Sequence, residues 1–85
     1  MTTLEQCIAH CTACAGLFRL GRSVEAGLDM IDVFESAGGH LGERSPDVQQ
    51  QWVQLLTTML ACQQAQDWLG LADYMEYELA ELLRG

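Results

Sequence analysis

Ser45-Pro46-Asp47-Val48-Gln49-Gln50-Gln51-Trp52-Val53-Gln54-Leu55-Leu56-Thr57-Thr58-Met59-Leu60-Ala61-Cys62-Gln63-Gln64 is the stretch on which the fold turns. Ser45 is a good N-cap, and Pro46 fits the first helical position, where its missing N–H would be unpaired anyway. Asp47 meets the positive end of the helix dipole. At about 100° per residue, Val48, Trp52, Leu55, Leu56, Met59 and Cys62 fall on one arc, with Val53 and Leu60 widening it. This pattern predicts a helix ending near Gln64. With the widest apolar stripe in the chain, it is expected nearest the centre of the fold.

Downstream, Asp67 reads as the cap of a fourth helix that continues to about Arg84. Trp68, Leu71, Ala72, Met75, Leu79, Leu82 and Leu83 give it an apolar stripe. No glycine or proline separates the third and fourth helices, so a single kinked helix stays open as an alternative. Upstream, a second helix starts after Ser23 and stops at Gly38–Gly39, leaving Gly38 to Arg44 as the longest loop. Its stripe is Val24, Gly27, Leu28, Ile31 and Phe34. The first helix opens at Thr3, where Gln6 completes a capping box, and ends near Gly21. Leu4, Cys7, Ile8, Cys11, Cys14, Ala15 and Phe18 share its apolar arc. Four such stripes joined by short loops predict an all-α fold, an antiparallel four-helix bundle forming one domain over residues 1–85.

Composition narrows the function. The 85 residues are 49% hydrophobic, enough for one small core, and carry 12 acidic against 4 basic residues, a net charge of −8. Nucleic-acid binding draws its affinity from cations set against phosphates, and four scattered arginines without a lysine do not supply them. An anionic membrane surface is disfavoured for the same reason. No basic leader precedes an apolar run, so a cytoplasmic location is expected and the four cysteines read as reduced thiols. The acidic balance suits a partner with a basic surface.

The cysteines are the sharpest chemical cluster. Cys7, Cys11 and Cys14 are spaced i, i+4, i+7 and form one stripe on a helix, with His10 at its edge and Cys62 available from the third helix. Thiolates and imidazole so spaced suit Zn(II) or Cu(I); equally, free cysteine packs in cores as a small hydrophobe. Cys7-Ile8-Ala9-His10-Cys11-Thr12-Ala13-Cys14-Ala15 resembles the Cys-xxx-Cys-xx-Cys-Ala pattern of four-helix copper-storage proteins, which line the whole bundle with cysteines. The second and fourth helices here carry none.

Elsewhere the chemistry is sparse. Gly38-Gly39-His40-Leu41-Gly42 lacks the Lys-Ser/Thr signature and the preceding strand of a phosphate loop. No serine has a base in a recognisable motif, and Ser23 and Ser45 read as caps. The expectation is a protein without catalysis and without a cofactor.

Two surfaces point instead to protein binding. From Val48 to Gln66 the chain carries no charged residue. An exposed helix normally sets charges opposite its apolar stripe. The neutral face of Gln50, Gln51, Gln54, Thr57, Thr58 and Ala61 is therefore packed between other helices or covered by a partner. On the fourth helix Gly70, Tyr74 and Tyr77 share a flank opposite the core stripe, bordered by Asp73 and Glu81. Aromatics within an acidic rim, beside a glycine that admits close approach, characterise binding faces.

The segment Ala65-Gln66-Asp67-Trp68-Leu69-Gly70-Leu71-Ala72-Asp73-Tyr74-Met75-Glu76-Tyr77-Glu78-Leu79, followed by Glu81-Leu82-Leu83, resembles small helical proteins of bacterial motility clusters. Those are similar in character to flagellar export chaperones, acidic helical bundles that hold secretion substrates. The resemblance implies that the fourth helix holds a partner's apolar segment through Leu69, Tyr74 and Tyr77. The leading expectation is thus an adaptor or chaperone for another protein. The alternatives are a metal or thiol-redox bundle built on Cys7, His10, Cys11 and Cys14, and a structural homodimer.

Overall fold

The computed structural model describes residues 3–85. Four helices account for nearly all of them: α1 (Leu4–Arg19), α2 (Ser23–Leu41), α3 (Pro46–Gln64) and α4 (68–84). There is no strand among the described residues, and none of their helices is long and apolar enough to cross a membrane.

The helix starts are written in the capping residues. Thr3 Oγ1 accepts from the Gln6 N–H at 3.1 Å while Gln6 Oε1 accepts from the Thr3 N–H at 3.0 Å, the reciprocal capping box expected for α1. Ser45 Oγ accepts from the Val48 N–H at 3.4 Å ahead of Pro46. The segment between α3 and α4 is a turn and not a kink, because Gln66 adopts φ 57° and breaks the helical path. Asp67 Oδ1 then caps α4 by accepting from the Gly70 N–H at 3.0 Å. Ser23 does not cap α2: it lies in the first turn, Arg22 occupies the cap position, and no side chain bonds there.

α2 runs past the glycines predicted to end it. Gly38, Gly39 and His40 are helical, and the helix closes at Leu41. A glycine inside a helix costs about 0.5–1 kcal/mol. Carrying the helix on to Leu41 buries that side chain completely, which is worth about 1.5–3 kcal/mol and offsets the cost. The connection to α3 therefore shrinks to residues 42–45.

α1 is the central element, packed against α2 on one side and α4 on the other. It buries Cys7, Cys11, Cys14, Ala15 and Phe18, and Phe18 stacks on Trp68 with ring centroids 5.6 Å apart. α2 turns a different face inward from the one its bulky residues mark. Ala26, Met30, Val33, Ala37 and Leu41 are buried, whereas Val24, Leu28 and Ile31 are 78%, 67% and 59% exposed. Close approach of the two helices explains the choice: Cys14 Sγ sits 3.3 Å from the Ala26 carbonyl oxygen, a distance that only small side chains allow.

α3 is peripheral, contrary to the expectation from its broad stripe. Met59 is its one buried residue, Trp52 meets Phe34 edge-on at 6.0 Å, and Val53 and Leu60 face outward. α4 buries Leu71, Ala72, Met75, Leu79, Ala80 and Leu83. It does so through an α turn (Trp68–Asp73), a π-helical segment (Tyr74–Leu79) and a final α turn (Ala80–Arg84). Leu71, Met75, Leu79 and Leu83 repeat every four residues, which in an α-helix drifts about 40° per step. The wider i→i+5 turns of the π segment absorb that drift and keep all four on one face.

Candidate protein-binding surfaces

The cysteine stripe belongs to the core. Cys7, Cys11 and Cys14 are fully buried, and Cys62 is half-buried. Burial, reinforced by the neighbouring Cys7, pushes the Cys11 thiol up to about 12; burial, with Asp29 nearby, does the same for Cys14. Such groups stay protonated at neutral pH, whereas metal binding and thiol exchange use the thiolate. His10 is drawn away to Asp29, with Nε2 2.8 Å from Oδ1. Among the described residues no three His, Cys, Asp or Glu side chains converge as a ligand set.

The flank expected on α4 divides in two. On the side towards α1, Arg19 forms the hub: Nη2 lies 2.8 Å from Asp73 Oδ1, Nη1 lies 2.8 Å from Glu76 Oε2, and its guanidinium carbon is 5.9 Å from the Tyr77 ring centre. The hydrogen bond to Asp73, with that to Glu76, holds the guanidinium pKa above its ordinary value. Tyr77 is 62% and Leu69 65% exposed beside this hub, and Tyr74 is at the margin of exposure. Gly70 is not an opening for a partner. A Cβ there would run into the Asp67 carboxylate, so the glycine serves the cap of its own helix.

On the side towards α3 lies a groove of about 560 Å³. Val48, Leu55 and Leu82 supply its apolar part, Gln51, Gln54 and Thr58 one polar rim, and Glu78 and Glu81 an acidic one. Thr58 Oγ1 donates to the Gln54 carbonyl oxygen at 3.0 Å, so its hydroxyl proton is already used within the helix. Arg44 reaches the far end of α4, where Nη2 donates to the Leu83 carbonyl oxygen at 2.7 Å, a cation at the negative end of a helix. Glu81 has a loose exposed partner in Arg84 at 3.5 Å; Glu78 has no cation beside it among the described residues.

Of the residues expected from the sequence, the groove thus gathers Gln51, Gln54 and Thr58 of the uncharged α3 face and Glu81. Asp73 and Tyr77 join Arg19 on the other flank, and Leu69 and Tyr74 lie on the same helix without entering the groove. Gln50 and Thr57 are exposed on α3 outside it, Thr57 Oγ1 donating to the Val53 carbonyl oxygen at 2.9 Å. Sequence periodicity missed Glu78. For Glu78 the signal was the four-residue spacing of Leu71, Met75, Leu79 and Leu83, which an α-helix does not keep on one face and a π segment does. Comparison with known proteins finds no match for the chain: no family model, no curated protein and no solved structure.

Proposed function

We propose that this protein is a non-catalytic binding module, an adaptor or chaperone, that holds a basic amphipathic segment of another protein in the groove between α3 and α4. The observation that carries the proposal is the pairing in one cleft of an apolar lining with Glu78 and Glu81, on a chain of net charge −8. Arginine or lysine side chains of a docked segment complement that acidic rim, and its leucines or methionines cover Val48, Leu55 and Leu82. The uncharged rim of Gln51, Gln54 and Thr58 costs little to desolvate. Connections of three, four and three residues support an antiparallel order for the four helices, two of which frame the cleft. The likeness of α4 to export-chaperone-like proteins of motility clusters agrees with this class of function.

The metal and thiol-redox alternative has less support, since the sulfurs lie in the core with raised pKa values. The test is capture of a partner from the native cell extract by tagged protein, comparing wild type with Glu78→Gln/Glu81→Gln and with Tyr77→Ala. A stoichiometric partner lost on neutralising the two glutamates, with the thermal transition unchanged, establishes the groove. Loss with Tyr77→Ala alone moves the site to the Arg19 flank. Capture indifferent to both variants refutes the proposed surface.

A further inference from the structure

Helix α2 leaves a continuous apolar stripe in solvent. Val24, Leu28 and Ile31 follow the helical period, and Leu20, 75% exposed in the turn before them, extends the line. Gly27 lies within it with open space above its Cα. Glu25, Asp32 and Glu35 are exposed along one flank; Arg22 lies 3.9 Å from Glu25, and His10, on the same side, is paired with Asp29. At the same flank a concavity of about 490 Å³ is lined by His10, Asp32, Glu35 and Ser36. Ser36 Oγ is buried there without a hydrogen-bond partner.

These features have one common explanation. We infer that the outward face of α2 is a second docking site, separate from the α3–α4 groove, for a basic amphipathic helix of a partner protein. The partner's apolar residues cover Leu20, Val24, Leu28 and Ile31, with Gly27 admitting a large side chain. An arginine or lysine enters the concavity, where Asp32 and Glu35 neutralise it. A second copy of this chain fits poorly. Antiparallel pairing of two such helices sets Glu25 and Asp32 of each beside those of the other, and any pairing joins two chains of net charge −8.

The test titrates the isotope-labelled protein with a synthetic helical peptide of leucine, alanine and arginine, and with a scrambled peptide of the same composition, followed by amide chemical shifts. The amphipathic peptide is expected to shift amides of 20–36, and a Leu28→Ser/Ile31→Ser variant to bind it about tenfold more weakly. Asp32→Asn/Glu35→Gln is expected to weaken binding and flatten its salt dependence, while Glu78→Gln/Glu81→Gln leaves the α2 shifts unchanged. Both changes on α2 are at exposed positions, and an unaltered amide spectrum of the free variants shows that they fold. Shifts confined to the α3–α4 groove, equal binding of the scrambled peptide, or unchanged affinity of the Leu28→Ser/Ile31→Ser variant overturn the inference. So does a dimer in sedimentation equilibrium that Leu28→Asp dissociates, which assigns the face to a second copy.

Discussion

Gly70 and Gly39 are both helical glycines, yet they call for opposite outcomes on substitution. Replacing a helical glycine by alanine ordinarily stabilises by about 0.5–1 kcal/mol. Gly39 has nothing within 4 Å of a new Cβ, so Gly39→Ala is expected to stabilise by that amount in urea denaturation. At Gly70 the new methyl displaces the Asp67 carboxylate and the cap is lost, so Gly70→Ala is expected to destabilise by about 1 kcal/mol. The thiols give a second residue-scale prediction. Cys11 and Cys14 are raised from 9.0 to about 12 by burial, so between those values the unfolded chain loses protons that the folded chain keeps. Stability contributed by these thiols is full below pH 9 and declines as the pH rises towards 12, which urea midpoints across that range will show. At pH 8 a thiol reagent is expected to titrate Cys62 alone until the protein unfolds.

At the scale of the helix, the π segment ties α4 to the core. Removing exposed Glu78 restores α-helical hydrogen bonding and places Leu79 and Leu83 at i+7 and i+11 from Leu71, within about 20° of its direction, so the core face is kept. An alanine inserted after Glu78 instead turns both leucines about 100° away; each is fully buried, and withdrawing one costs about 2–5 kcal/mol, comparable with the whole stability of a domain this small. Deleting Glu78 is therefore expected to keep the cooperative thermal transition, as does Glu78→Ala, whereas the alanine insertion is expected to abolish it. Caps and periodicity made the four helices legible, and Thr3, Ser45 and Asp67 start three of them where the sequence says. Two things were not legible. Periodicity finds an apolar stripe but does not say which of two stripes on α2 meets α1, and the smaller one won because Cys14 and Ala26 bring the helices close. Stripe width likewise did not rank burial, so α3 was expected at the centre and lies at the edge. The candidate site inherited both errors: the groove exists because α3 is peripheral, and the α2 face is open because its larger residues point out.

For the molecule as a whole, charge and connectivity set the behaviour. Twelve carboxylates against four arginines repel one another in the folded state more than in the expanded chain. Raising the ionic strength from low salt to about 0.15 M is expected to lift the melting temperature by a few degrees, measured by circular dichroism. The core also has an order of assembly. α1 and α2 are neighbours joined by three residues and can pair as soon as both exist, but the other side of α1 is covered by α4, at 68–84. During synthesis from the N-terminus the α1–α2 pair forms first. Until residues 68–84 are made, the side of α1 that α4 covers stays open, while Cys14 is already held against Ala26 of α2. A chain stalled before residue 68 would thus leave that side of α1 open to oxidants that the finished core keeps out.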